Sequence, residues 1–363
     1  MIKKNIFLLI LSILFSLFLV EVFLLFSGKY KNLTKNNLKP SLAIYERANS
    51  SIQKHKHPDL DYTITNFFDA DGVKNFDKKN TSDKKNIIGI FGDSFVENIA
   101  VDKKFEYSNL LNELMINNTV VNYGTGGYSA DQVFIRYLKY KDHDIKHVFF
   151  LLMPGDQGFS TNSIFKDDGT YTIPQPELNL FYQILGKLNI TYLIIDVYYY
   201  AKSLFSENYT YTKKESYNSV LANKIYKKFY NKGLKKCEYD IFDENCMKNL
   251  SNLLMIFKKE VEDNGAKFHV LLYPNKDHFA YFYKVIKLKN INLNYFYLEN
   301  NLESGSIING KKISFINDDH WNEYGSYEFA KNLINFFVEV GIEIKNNNFN
   351  VNFNDIEVFY TKN

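Results

Sequence analysis

The chain has 363 residues, 45% of them hydrophobic, which is enough for one large domain with a sizeable core or two small ones. Its formal net charge is +3, and among 44 basic residues only Arg47 and Arg136 are arginine. A near-neutral chain so poor in guanidinium groups gives no electrostatic ground for a nucleic-acid partner, whose phosphates and base edges favour arginine's planar fork. The charge is uneven: six lysines and Glu21 give residues 1–40 a charge of +5, so the remainder carries −2.

Ile6–Phe26 is apolar except for Glu21. As a helix it would be about 31 Å long, the thickness of a bilayer core. Lys3 and Lys4 precede it as in a signal peptide, but the run is long and Phe26-Ser27-Gly28-Lys29 offers no small-x-small cleavage site. Residues 1–27 are therefore expected to form an uncleaved transmembrane anchor. Glu21, near the outer end, would snorkel to the interface or stay protonated. Lys29, Lys31, Lys35 and Lys39 follow the span, and the positive-inside count by itself would leave the following chain inside. Large downstream domains translocate largely regardless of charge, and Cys237 and Cys246, the only cysteines, suit a local disulfide in an oxidising compartment. Two separate buried thiols remain the alternative. The expected location of the bulk of the chain is extracytoplasmic, on the periplasmic side.

Residues 28–85 are rich in lysine, asparagine and serine and read as a membrane-proximal spacer that begins to fold near Tyr62–Phe68. His55 and His57 lack further ligands nearby, so they are expected on an exposed spacer rather than at a metal. From Asn86 an α/β rhythm starts. Ile87–Phe91 is a short apolar run of the kind covered on both faces. Phe105–Ile116 has helical spacing, Thr119–Tyr123 is a second strand ending in Gly124-Thr125-Gly126-Gly127, and Ala130–Tyr140 is helical. His147–Met153 reads as a buried strand. His143 and His147 lack the glutamate of a zinc-binding helix and read as structural.

Residues 157–249 break the rhythm and read as a partly helical insertion, with aromatic runs such as Tyr192–Tyr200, able to cap a site. Leu250–Asn264 is an amphipathic helix, Lys267–Tyr273 a strand stopped by Pro274, and Lys312–Ile316 a further strand. Tyr324–Val340 is a closing helix, and 341–363 an asparagine-rich extension. Five strands with helical crossovers predict a doubly wound parallel five-stranded sheet over 86–340. Ser94, Gly127, Asp156 and His320 all follow predicted strands, at the ends where such sheets gather their functional groups.

Gly92-Asp93-Ser94 sets a serine at the tip of a glycine turn, and Asp318-Asp319-His320-Trp321-Asn322 supplies a histidine with an acid two residues earlier. These are the nucleophile, base and orienting carboxylate of acyl-transfer chemistry. Taken singly, Ser94 reads as a helix N-cap and His320 as a loop histidine bonded to backbone; the catalytic reading comes from the two together at matched strand ends.

With the block Asn122–Ser129 between them, the Gly92-Asp93-Ser94 and Asp318–Asn322 blocks follow the order of the SGNH hydrolase superfamily, the GDSL-type esterases, which the chain resembles over roughly 86–340, the insertion excepted. The resemblance implies a flavodoxin-like sheet, Ser94 as nucleophile, His320 as base and Asp318, rather than Asp319, as the orienting acid. The family more often has its acid three residues before the histidine, where this chain has Asn317. The Asp-x-His-Trp variant is similar to the membrane-associated branch that includes polysaccharide O-acetylation proteins. The amides of Ser94 and Gly127 would hold the oxyanion. Where the family has a third, asparagine donor, this chain has Asp156, followed by Gln157. An ionised Asp156 would repel the oxyanion, so it must be protonated, turned away, or replaced by Gln157. The implied activity is hydrolysis of ester-linked acyl groups, acetyl among them, on an envelope glycan or lipid, or transfer of the acyl group to a polysaccharide beside an integral-membrane partner. A decayed, non-catalytic module is the remaining alternative. No cofactor and no metal ion is called for.

Overall fold

The described apolar strands and helices after Asn86 form the layers of one α/β unit, seen in a computed structural model that describes residues 2–27, 37–39, 44–46, 52–55, 57, 59–60, 62–74, 86–156, 158–159, 161, 163–173 and 243–345. In chain order there is a helix α1 (Ile2–Ser27), then two antiparallel pairs, β1 (Asn37–Lys39) with β2 (Ile44–Glu46) and β3 (Ile52–His55) with β4 (Ile64–Phe67). The central unit runs β5 (Asn86–Phe91), α2 (Ser94–Glu97), α3 (Tyr107–Leu114), β6 (Asn118–Asn122), α4 (Ala130–Tyr140) and β7 (Ile145–Leu152). A small hairpin, β8 (Ile164–Phe165) with β9 (Tyr171–Thr172), follows. The unit resumes with α5 (Glu244–Asp263), β10 (Lys267–Leu272), α6 (Lys276–Leu288) and β11 (Asn294–Tyr297). A second hairpin, β12 (Ile307–Ile308) with β13 (Lys311–Lys312), and α7 (Glu323–Glu339) close it.

The five-stranded sheet has the order β11-β10-β7-β5-β6, every neighbouring pair parallel. Numbered along the chain this is 2-1-3-4-5, an arrangement compatible with a flavodoxin-like fold. Alternate residues of β7 feed two cores. Val148, Phe150 and Leu152 pack with Phe134, Tyr137, Phe257 and Phe282 of α4, α5 and α6. Phe149 and Leu151 pack with Leu111, Phe329, Leu333 and Phe337 of α3 and α7. Burial on both faces is why these strands read as continuous apolar runs.

The fifth strand differs from expectation. Lys312–Ile316 does not join the sheet; β11 does, after the helix α6. Ile313 and Phe315 are buried, which gives the segment a strand-like alternation. Its backbone partners, however, lie in its own loop: Phe315 N–H donates to the His320 carbonyl at 3.1 Å, and Asn322 N–H to that of Ile313 at 2.9 Å. The short β11 alternates only weakly, with Phe296 as its one buried side chain.

The expected exposed spacer is also corrected, in part. His57 is 3% exposed, and Leu60 and Ile64 pack with Val101, Phe105, Phe315 and Tyr324. The polar composition of 28–85 hid these few apolar anchors. Helix α5 begins at Glu244 rather than Leu250, capped by Asp243, which accepts from Asn245 N–H and Cys246 N–H. Residues 174–242, with Tyr192–Tyr200, and the extension 346–363 lie outside the described residues.

Helix α1 covers the expected anchor, with Leu9, Phe15, Phe18, Phe23 and Phe26 exposed. Among the described residues no helix is long and apolar enough to cross a membrane; the side chains of 2–8, 10, 13, 14 and 25 lie outside them.

Candidate active site

Ser94 occupies the first turn of α2, immediately beyond β5. The cap of that helix is Asp93, whose Oδ1 accepts the Phe95 N–H at 2.9 Å. Ser94 is thereby released from the capping role that its position after a glycine turn suggested. A four-residue helix does not hold itself together. Here its carbonyls are fixed from outside: Asn122 Nδ2 donates to Val96 O at 2.8 Å, and Lys74 Nζ donates to Glu97 O at 2.8 Å and Asn98 O at 2.7 Å. Lys74 also pairs with buried Glu106 at 3.3 Å. Gly124 permits the close approach of α2 to the end of β6, since a Cβ there would collide with the Glu97 backbone nitrogen.

His320 and Asp318 come from the loop before α7. His320 Nε2 lies 2.6 Å from Ser94 Oγ. On the other side of the ring, Nδ1 is hydrogen-bonded to Asp318 Oδ1, which also accepts the His320 N–H at 3.0 Å. The loop is pinned by buried groups. Trp321 is fully buried with its Nε1–H on Leu302 O at 3.0 Å, and Asn322 caps α7 while donating to Lys312 O and Ser314 O. Phe95 packs 5.0 Å from the His320 ring and 5.1 Å from that of Trp321. Burial alone would raise the Asp318 carboxyl, but hydrogen bonds from the His320 ring and amide, its charge and a bond from His57 bring it below its ordinary value. Asp319 is exposed and engages the loop through its carbonyl, which accepts from Ser304 Oγ.

The Ser94–His320 pair is open to solvent, the His320 side chain being 37% exposed. The Ser94 and Gly127 amides donate to no acceptor among the described residues. Gly127 adopts φ +76°, a left-handed conformation suited to glycine. The neighbouring Gly126 amide is taken by the buried Glu97 carboxylate at 2.8 Å.

Asp156 follows β7 and is turned back on its own loop: Oδ2 accepts the Met153 N–H at 3.0 Å, and Asp156 N–H donates to Met153 O at 3.2 Å. Desolvation, and then the neighbouring Asp93, push its carboxyl well above the usual range, which favours the protonated form. Asp93 is itself raised, to about 6, chiefly by desolvation. Gln157 lies outside the described residues.

His57 and Glu97 are the site-adjacent groups that sequence reasoning passed over. His57 Nε2 lies 3.2 Å from Asp318 Oδ2, across 261 positions of sequence. Nothing in Lys54-His55-Lys56-His57 distinguishes it from a solvated polar run. Glu97, three residues past Ser94, carries no periodicity that marks it as buried. His143 and His147 are placed structurally, the first 3.1 Å from the Tyr123 hydroxyl and the second 3.1 Å from His269.

Cys246 is disulfide-bonded, and the chain's other cysteine, Cys237, lies outside the described residues. Among the described residues no group of three or more His, Cys, Asp or Glu is placed to hold a metal ion. Compared with known proteins, the chain matches no family model, and no curated protein matches it significantly.

Proposed function

We propose that the chain is a membrane-tethered serine hydrolase of the SGNH type. It removes ester-linked acyl groups, acetyl among them, from a glycan or lipid of the cell envelope through an acyl-serine intermediate. The observation that carries this reading is the continuous Ser94–His320–Asp318 relay, assembled at the strand ends of a parallel sheet from segments 226 positions apart.

In this reading Ser94 Oγ attacks the ester carbonyl as His320 Nε2 takes its proton. Asp318 holds the ring in the needed tautomer and stabilises the imidazolium. The Ser94 and Gly127 amides receive the oxyanion. The tetrahedral intermediate collapses, and the alcohol leaves with the proton from His320. A second hydroxyl, deprotonated by His320, then attacks the acyl-serine. Water makes the enzyme an esterase; a sugar hydroxyl makes it an O-acyltransferase. The exposed apolar side chains of α1 favour keeping the transfer reading, because an anchor at Ile6–Phe26 would hold the site beside an integral-membrane acyl donor. The anchor, together with the disulfide at Cys246, supports an extracytoplasmic location.

The test is full-length protein in detergent, treated with a serine-reactive fluorophosphonate and assayed on p-nitrophenyl acetate with and without an acetylated glycan or acceptor. Wild type is expected to label and turn over, and Ser94→Ala to do neither. Retention of more than about a tenth of the activity in Ser94→Ala would overturn the assignment, since loss of a nucleophile costs far more. A wild type that neither labels nor turns over would leave the non-catalytic module.

A further inference from the structure

The orienting acid of the relay sits only two residues before its histidine, and that spacing has a structural consequence. Both bonds that His320 makes to the carboxylate, from the ring and from the amide, fall on one oxygen, Oδ1. The local loop supplies nothing to Oδ2. A carboxylate held at one oxygen is free to rotate about its terminal bond and to exchange its partner for water.

The missing partner comes from the segment that precedes the sheet. His57 is buried, its ring stacks on Phe315 at 4.0 Å, and its Nε2 meets Asp318 Oδ2 at 3.2 Å. Its protonation pattern follows from the other nitrogen, because Nδ1 accepts the Asp59 N–H at 3.2 Å. The ring proton therefore sits on Nε2 and points at the carboxylate. The segment is clasped to the catalytic loop a second time. The Asp59 carboxylate accepts the Asn317 N–H at 3.0 Å and also the Asn317 side-chain amide. Leu60 anchors the turn in the core, and Leu60 N–H donates to His57 O at 3.1 Å.

We propose that His57 is a positioning residue that locks Asp318 through its second oxygen, so that a buried imidazole from the membrane-proximal segment completes a four-member chain, His57–Asp318–His320–Ser94. The inference rests on the proposed catalytic role of Ser94, His320 and Asp318. It makes the segment after the anchor part of the reaction centre rather than a tether.

The experiment uses full-length protein in detergent as wild type, Ser94→Ala, His57→Phe and His57→Gln. Phenylalanine keeps the stack on Phe315 and removes the donor; glutamine supplies an amide donor in its place. Three quantities are read: kcat and KM on p-nitrophenyl acetate, the rate of fluorophosphonate labelling, and the NMR resonance of the His320 Nδ1 proton. His57→Phe is expected to lower kcat and labelling about ten-fold, the scale of one charge-assisted hydrogen bond, with KM unchanged. The Nδ1 proton should move from its downfield position, and His57→Gln should recover most of the loss. A folded His57→Phe with wild-type kcat and an unmoved resonance overturns the proposal. So does a kcat loss that merely follows a drop in Tm and is not recovered by glutamine. If wild type neither labels nor turns over, the hydrolase reading fails separately, and the resonance alone decides whether His57 positions Asp318. Should His57→Phe not fold, His57→Gln against His57→Asn, whose shorter amide falls short of Asp318, gives the same contrast.

Discussion

Replacing Asp318 with asparagine removes one charge and almost no volume, and the structure fixes how the damage spreads. The carboxylate accepts three hydrogen bonds: from the His320 ring, from the His320 amide at 3.0 Å, and from His57 Nε2 at 3.2 Å. An amide has one oxygen and one NH2 to meet them. With its oxygen toward His57, the NH2 faces His320 Nδ1, which must then accept. The ring proton moves to Nε2, 2.6 Å from Ser94 Oγ, where the base is required. With its oxygen toward His320, the NH2 meets the His57 Nε2–H head on, and His57 can relieve that only by turning a proton toward the Asp59 amide. The first arrangement keeps the His57 bond and leaves only the His320 N–H without its acceptor, and it is the one expected to form. Loss of the correct tautomer in a serine triad costs about 10⁴ in rate, roughly 5 kcal/mol of transition-state stabilisation. We therefore expect Asp318→Asn to lower kcat on p-nitrophenyl acetate by about 10³–10⁴, with labelling of Ser94 slowed in parallel and KM little changed. Asp319→Asn is the control. Its side chain is exposed and only its carbonyl is engaged, so a change within about two-fold is expected. The reasoning fails if Asp318→Asn stays within about ten-fold of wild type, or if Asp319→Asn loses as much.

Two further predictions follow from buried ionisable groups. Desolvation and then Asp93 raise the Asp156 carboxyl well above its usual range, and its Oδ2 accepts from Met153 N–H, a bond an amide oxygen keeps. Asp156→Asn should leave activity within about two-fold near neutrality. Because the folded-state pKa is raised, the wild type loses stability as pH climbs from 3.8 through that raised value, and the variant's Tm advantage should widen with pH; parallel Tm curves would contradict the assignment. His147 and His269 titrate in the opposite sense. Desolvation holds them down to about 4 and about 3, so stability present above 6.5 is lost as pH falls through those values. His269→Leu, which also removes a ring nitrogen that has no partner among the described residues, should flatten the acid limb of Tm measured from about pH 7 to about 4. An unchanged acid limb would show that the pair does not set it.

The sequence alone determined whatever rests on local pattern. A strand buried on both faces must be apolar at successive positions, so β5, β6, β7 and β10 are legible as runs, and α4, α5 and α7 as helical stripes. A glycine turn with a serine, and an acid beside a histidine, are short-range signals, so Ser94, Asp318 and His320 stand out before any contact between them is known. Tertiary structure decided what depends on partners remote in sequence. Ile313 and Phe315 alternate like a strand, and only the hydrogen bonds they make to 320–322 show that the segment is a loop support while β11 completes the sheet. The sequence leaves open whether Asp156 is protonated, turned away or replaced by Gln157; only the fold shows it buried beside Asp93 and bonded to the Met153 N–H. Asp93 rather than Ser94 caps α2 because Asp93 Oδ1 reaches the Phe95 amide, a choice between adjacent residues that composition does not make. His57 is the extreme case. Hydrophobic pattern reports burial of apolar groups, and a polar residue buried for one hydrogen bond across 261 positions leaves no trace in the sequence around it.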